Sequence, residues 1–233
     1  WTLPGYVATA TVNGEMMIAR EPDVAVLGAG LTGTSAALEL ARSGVRVTLI
    51  EQDERAMNRA SLRNEGKIHL GFVFSQDLTE ASSRLQLHGA LRFRRLLARL
   101  IGADADRLQL SHPFVYLVPH DSIAAPDELE ARFARLDGAY REELAADPEL
   151  EYFGRRPDSL SHRIALADVA GHIRPGRFVG AFLTEEIAVD TQGLADLVHA
   201  AVVAHPNIDF RPGHTVAAVE RRENGFRVTG TYG

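Results

Sequence analysis

The residues best placed to do chemistry are a glycine-rich turn and the acid that follows it. Gly28, Gly30 and Gly33 stand as G-x-G-x-x-G. In such a motif the first glycine permits a tight turn, the second lets backbone approach a pyrophosphate, and the third lets helix pack closely on strand. A diphosphate set there meets the amino end of a helix, whose unpaired N–H groups and dipole favour an anion. Glu51 lies 18 positions beyond Gly33, near the spacing of about 20 at which an acid accepts hydrogen bonds from an adenosine ribose. Its charge repels a 2′-phosphate, so NADP is disfavoured. Leu31 and Thr32 inside the turn, and Gln52 beside the acid, complete the expected contacts of this stretch with a dinucleotide.

These residues need a strand, a helix and a second strand to hold them. The apolar run Val24, Ala25, Val26 and Leu27 reads as a parallel strand buried on both faces. Residues 34–42 read as a helix with Ala36, Ala37, Leu40 and Ala41 inward, and Gly44 stands where a left-handed cap belongs. Val45, Val47, Leu49 and Ile50 then give the second strand. Further on, residues 79–101 are helical in pattern, with Leu85, Leu87, Leu91, Leu96, Leu97 and Leu100 among arginines. "HPFVYLVPH" alternates as a short strand, residues 126–144 form a second amphipathic helix, and residues 163–186 read as irregular strands. Asp190 or Thr191 is a credible N-cap for a helix whose stripe is Leu194, Leu197, Val198, Ala201 and Val202. A strand, a turn and a hairpin with the loop Glu223, Asn224 and Gly225 follow.

Composition removes several function classes. With 25 basic and 31 acidic residues, a net charge of −6 and no basic block, the chain has no electrostatic footprint for nucleic acid. No apolar run approaches the roughly 18 residues that cross a bilayer, and the start lacks the pattern of a secretory signal, so a cytoplasmic location is the expectation. The absence of cysteine removes disulfides, thiolate metal sites and thiol nucleophiles, and no two of the nine histidines have HxH or HExxH spacing, so no metal site is expected. Met16 and Met17 are the expected natural start, and residues 1–16 are read as a disordered leader.

Residues 58–74, "NRASLRNEGKIHLGFVF", resemble the loop after the second strand in the D-amino acid oxidase-like (DAO) family of FAD-dependent oxidoreductases, which includes glycine and sarcosine oxidases. "TEEIAVDTQGLADLVHAAV" is similar to the family's return from its substrate domain, and "HTVAAV" to the segment that contacts adenine through backbone. The resemblance implies FAD as cofactor, with Ala60, Ser61, Arg63, Asn64 and Gly66 along the ribityl chain and ring and Val216 at the adenine. It implies no covalent flavin link, because Arg63 stands where some relatives carry histidine. His69 falls near the place of a basic residue that pairs with a substrate carboxylate. Arg174, Arg177 and Tyr116 are weaker candidates, read more simply as surface or strand residues, and no residue stands out as a general base.

The fold class so implied is α/β: a Rossmann-like FAD-binding domain interrupted by an α+β substrate-domain insertion, with the C-terminal part of the fold missing. The implied limits are a leader at 1–16, an incomplete FAD-binding domain at 17–84 and 186–233, and a partial substrate domain at 85–185. The chain then looks like the N-terminal fragment of an enzyme that oxidises an amine or amino acid, a small-molecule substrate, at its C–N bond by hydride transfer to flavin N5. An NAD-linked dehydrogenase and a catalytically silent dinucleotide-binding module are the alternatives.

Overall fold

The computed structural model describes residues 22–232; the expected leader and start at Met16 or Met17 lie outside them. In chain order the elements are β1 (Val24–Leu27), α1 (Leu31–Arg42), β2 (Val47–Ile50), β3 (Lys67–Ile68), α2 (Ala81–Ile101), β4 (Leu110–Ser111), β5 (Phe114–Pro119) and α3 (Pro126–Ala146). They continue with β6 (Ser161–Ile164), β7 (Phe178–Thr184), β8 (Ile187–Val189), α4 (Thr191–Ala204), β9 (Ile208–Arg211), β10 (His214–Arg222) and β11 (Gly225–Tyr232). The chain divides into two compact units. The first holds the residues through Asn64, Leu100–Asp106 and those from Thr191 onward; the second holds Glu65–Arg99 and Arg107–Asp190.

The first unit is built on a parallel sheet of order β1-β2-β9, with Val24 opposite Val47 and Val47 opposite Ile208. Asp23 and Arg46 fasten the starts of β1 and β2: the Arg46 amide donates to Asp23 Oδ2 at 2.9 Å, and its guanidinium meets Oδ1 at 2.7 Å. Hydrogen bonding from Arg46 holds the Asp23 carboxyl down to about 2. Helix α1 begins at Leu31, earlier than the expected residue 34, because Gly30 already serves as its N-cap. Its inward residues are Thr34, Ala37, Leu38 and Ala41, whereas Ala36 is exposed and Leu40 half-buried. The stripe is thus turned by about one position from the expected one. Gly44, at φ +86°, ends the helix as expected. On α4, Leu194, Ala195, Val198 and Val202 are buried, with Leu197 and Ala201 at the margin. The hairpin of β10 and β11 pairs Arg222 with Gly225, so its loop is Glu223 and Asn224, and Gly225 belongs to the strand.

One expectation fails in part. Val24, Ala25 and Val26 are only half-buried and Leu27 is 46% exposed, because among the described residues β1 pairs with β2 alone and forms the sheet's edge.

The second unit carries two antiparallel sheets, of order β3-β8-β4 and β5-β7-β6, and the helices α2 and α3. Pro126 opens α3 in its first turn, where no partner for a backbone N–H is required. Asp77 and Thr79 satisfy the amides before and within the first turn of α2: Asp77 accepts from Thr79 and Ser82, and Thr79 Oγ1 from Ala81. The helix therefore starts at Ala81 and not at 79. Of its leucines, Leu87, Leu91, Leu97 and Leu100 are buried, but Leu85 is 73% exposed, since it lies across the helix from Leu87. Residues 166–172, expected within irregular strands, form a 3-10 turn. Phe133 sits at the centre of the core, edge-on to Phe72, Tyr116 and Phe182 with centroids 4.7, 5.5 and 5.1 Å away.

Phe133→Ala is expected to lower the unfolding free energy of this unit by about 3–5 kcal/mol, whereas Leu85→Ala should change it by less than about 0.5 kcal/mol, both read from urea unfolding curves. In acid, the Asp23 carboxyl is depressed from 3.8 to about 2 in the folded chain. The Asp23–Arg46 pair therefore adds stability that is fully present above the ordinary value and is lost as pH falls through the depressed one. Asp23→Asn should flatten the fall in urea midpoint over that window; an unchanged slope would refute the assignment.

Candidate functional site

The glycine turn of the first unit is shaped by backbone. Gly28 lies at φ +91°, a conformation L side chains rarely adopt, and its amide donates to the Ile50 carbonyl at 2.8 Å. Gly33 lies so close to the end of β1 that a Cβ there would come within 1.9 Å of the Gly28 carbonyl oxygen. The turn therefore admits no side chain at that position. Gly30 enters α1 in extended conformation, and the amide of Leu31 donates to Ser61 Oγ at 2.9 Å. A methyl group at Gly30 would meet the same hydroxyl first, at 3.2 Å. The Thr34 hydroxyl turns back on the carbonyls of Gly30 and Leu31, at 2.9 and 3.0 Å. The N–H groups of the first helical turn have no partner within the helix itself.

Glu51 faces this turn. Its Oε2 accepts the Ala29 amide at 2.6 Å and its Oε1 the Asp53 amide at 3.0 Å. A carboxylate offers about four lone-pair sites, which leaves capacity for sugar hydroxyls. The Glu51 carbonyl accepts the His214 amide at 2.8 Å, so β10 starts beside the acid, with Val216 two residues further along it. Val216 pairs with Gly230 just before a bulge. Met57, buried and at φ +66°, donates its amide to the Ala29 carbonyl at 2.7 Å and so ties the following loop to the turn. Arg59 grips Asp53 with two bonds of 2.8 Å each and holds its carboxyl below the usual range, chiefly by hydrogen bonding. Asn64 Nδ2 donates to the carbonyls of Ala60 and Ser61 at 2.8 and 3.1 Å, which closes the turn that presents the Ser61 hydroxyl.

Gly28, Gly30, Leu31, Thr32, Gly33, Glu51, Gln52, Ala60, Ser61, Arg63, Asn64 and Val216 thus belong to one unit. Direct contacts join the glycine turn to Glu51 and Ser61. Thr32, Gln52, Ala60 and Arg63 are exposed around it. Gly66 and His69 fall in the second unit. Asp53, Met57 and Arg59 were not legible as site residues, because their roles are to brace a loop and not to touch a ligand.

In the second unit the environment of His69 is ionic. Its Nδ1 lies 3.3 Å from Glu186 Oε1, and its Nε2 3.5 Å from Glu65 Oε1. Glu186, whose side chain is 3% exposed, also meets Lys67 Nζ at 2.6 Å and accepts the Leu70 amide at 3.1 Å. The Lys67 ammonium stands 4.6 Å over the Phe114 ring. Tyr152 stitches the strand pair by donating to the Ile68 carbonyl and accepting the Ile187 amide at 2.8 Å. Burial pushes the Tyr116 phenol up, with the Glu186 charge as a second cause. Arg174 and Arg177 are exposed in a turn, as the simpler reading had it. The signal for Glu186 was an acid abutting the apolar run Ile187, Ala188 and Val189, and that for Lys67 its place two residues from His69.

A parallel sheet with a G-x-G-x-x-G turn at the end of its first strand defines an α/β dinucleotide-binding fold. The chain belongs to the DAO family of FAD dependent oxidoreductases, whose family model matches residues 23–233. Among solved structures it is similar to glycine oxidase from Geobacillus kaustophilus, at 17% identity and a TM-score of 0.64, covering 90% of this chain and 51% of that one. It is also similar to iminodiacetate oxidase from Chelativorans sp. BNC1, at 20% identity and a TM-score of 0.58, covering 89% of this chain and 51% of that one. At such identities the likeness is one of fold, and the chain spans about half the length of these relatives. The tRNA 5-methylaminomethyl-2-thiouridine biosynthesis bifunctional protein MnmC of Chromohalobacter salexigens is 43% identical over 77 residues, 33% of this chain and 10% of that protein. No helix of the described residues is long and apolar enough to cross a membrane.

The cradle fits the diphosphate and sugar of FAD: Gly28 and Gly33 allow no substitute without strain, and Glu51 retains acceptor capacity. Gly33→Ala is expected to destabilise the first unit by about 1–3 kcal/mol or more, as overpacking against backbone does. Gly28→Ala, with open space but a positive φ, should cost about 1–2 kcal/mol. Thermal unfolding of the two variants tests both, and equal melting temperatures for Gly33→Ala and the parent would contradict the geometry.

Proposed function

We propose that this chain carries the FAD-binding and substrate-facing parts of an oxidoreductase that acts on the C–N bond of an amine or amino acid. The observation that carries this reading is the convergence of Glu51, Ser61 and the glycine turn on the amino end of α1. In this reading the first-turn amides and the Ser61 hydroxyl receive the diphosphate, and Glu51 receives the adenosine ribose. Ala60, Arg63, Asn64 and Gly66 border the ribityl chain and ring, Leu31, Thr32 and Gln52 flank the phosphates and sugar, and Val216 offers backbone to the adenine. FAD, when bound, supplies the hydride acceptor at N5. The protein's own residues bind and orient the two reactants and exclude water. Support comes from the family match and from the fold likeness to glycine and iminodiacetate oxidases. His69 is the residue proposed to contact substrate, and the second unit is proposed as substrate domain.

The test is reconstitution with FAD followed by anaerobic mixing with glycine, proline and iminodiacetate, read by flavin absorbance. FAD is expected to bind and to be reduced by at least one of them. Gly30→Val should weaken FAD binding about tenfold or more, the equivalent of one charge-assisted hydrogen bond. Unchanged binding in that variant would overturn the site, and bound flavin that none of the three reduces would favour a silent cofactor-binding module.

A further inference from the structure

A cleft between the segment 71–84 and helix α3 lies wholly within the second unit. Its lining sets the guanidiniums of Arg84, Arg132 and Arg135 against the carboxylates of Asp77 and Glu80, over the rings of Phe72 and Phe133. Among these groups there is room for about one more of the size of a water. The charged groups have different duties. Arg132 is 11% exposed and fixed: its Nη1 donates to the Ser75 carbonyl at 3.0 Å and to Gln76 Oε1, and its Nη2 meets Glu128 at 2.8 Å. Asp77 is committed to the start of α2, where it accepts the Thr79 amide and hydroxyl and the Ser82 amide at 2.9, 2.6 and 3.0 Å. Glu80 instead stands between two cations. Its Oε1 meets Arg135 Nε at 2.7 Å and its Oε2 lies 3.5 Å from Arg84 Nε, so each oxygen faces its own guanidinium. Arg84 is also held from outside the cleft, by Glu142 at 2.6 Å. A guanidinium carries five N–H donors, and the hydrogen bond of Arg135 to Glu80 uses one.

We propose that this cleft is a binding site for a small free carboxylate of acetate size, and that Glu80 is its built-in competitor. The end of the Glu80 side chain is itself a methylene and a carboxylate, and between Arg84 and Arg135 it holds the place that acetate takes when Glu80 swings out. The side chain is 30% exposed, which gives it a way out to solvent. Its backbone also favours release: Glu80 lies at φ +59°, a conformation that L residues keep only where their surroundings over-determine it. Here the two guanidiniums do so together with the helix start, where the Glu80 amide donates to the Asp77 carbonyl at 3.0 Å and its carbonyl accepts the Arg84 amide at 2.9 Å. With Glu80 withdrawn, three guanidiniums of the lining face one carboxylate, that of Asp77, whose oxygens are already taken by donors. Glu128 and Glu142 remain as the partners of Arg132 and Arg84. A carboxylate on a short tether acts at an effective concentration on the order of millimolar, so the parent binds acetate weakly and a chain without that competitor binds it more tightly.

The experiment is guanidinium nitrogen NMR of the arginine-labelled chain, titrated with sodium acetate and, separately, with sodium chloride. The Arg135 Nε signal is assigned through Arg135→Gln. Glu80→Gly removes the competitor and suits the positive φ, and Glu80→Asn, whose side chain also tolerates that conformation, is the second variant. In both, acetate is expected to move the Arg84 and Arg135 signals saturably, with half-saturation at a concentration about tenfold or more below that of the parent. Adding Arg135→Gln to Glu80→Gly should abolish the saturable shift at Arg84. Half-saturation equal in the parent and the Glu80 variants, no saturable shift in those variants, or the same response to chloride as to acetate overturns the proposal. The readout needs neither flavin nor turnover, so it stands or falls independently of the functional reading.

Discussion

The bond between the Glu51 carboxylate and the Ala29 amide fixes the first unit's site. At 2.6 Å it is a charge-assisted contact, roughly twice as strong as a neutral one. It joins the end of β2 to the turn after β1, and the second oxygen of the same group takes the Asp53 amide at 3.0 Å. Through the backbone of Glu51 the start of β10 is hung on the same point. One acid thereby sets the direction in which the amino end of α1 points, the course of the loop that brings Ser61 to Leu31, and the strand that carries Val216. The loop is held a second time, where the amide of the buried Met57 meets the Ala29 carbonyl at 2.7 Å.

In the second unit the organising constraint is the burial of a charge. Glu186 at 3% exposure is tolerable only because Lys67, the Leu70 amide and His69 surround it. Removing one partner of a buried pair leaves an uncompensated charge and is strongly destabilising, even where the intact pair adds little. The registers of β3 and β8 are thereby tied to chemistry: Lys67 sits opposite Ala188, Ile68 opposite Ile187, and Tyr152 closes the gap between the two strands with its hydroxyl. A slip of one residue would send Lys67 and His69 to the other face and leave Glu186 alone.

What the sequence disclosed follows from how local each requirement is. The glycines at 28 and 33 were legible because each answers a backbone demand that no other residue meets, and Glu51 because its distance along the chain is set by one helix and one strand. Helices were legible in kind but not in phase. Leu85 fits the leucine pattern of α2 yet faces solvent, and the inward set on α1 includes Thr34 and Leu38 in place of Ala36 and Leu40. The contact of His69 with Glu186 joins residues 117 positions apart, and Tyr152 reaches 84 positions back to Ile68. No periodicity encodes such pairings; they exist only once the strands have found their register.

The edge position of β1 makes the dependence on β2 sharper. Parallel strands are ordinarily covered on both faces and paired on both sides, but β1 here is half-buried and hydrogen-bonded along one side among the described residues. Its first residue is held through Asp23 and Arg46, its last through the bond of the Gly28 amide to Ile50. Both anchors reach across to the ends of β2. The glycine turn is consequently positioned not by β1, from which it grows, but by its neighbour, and the carboxylate that receives the ribose in the proposed site belongs to that same neighbour. Cofactor geometry and sheet geometry are thus one constraint, so substitutions at the end of β2 should disturb both.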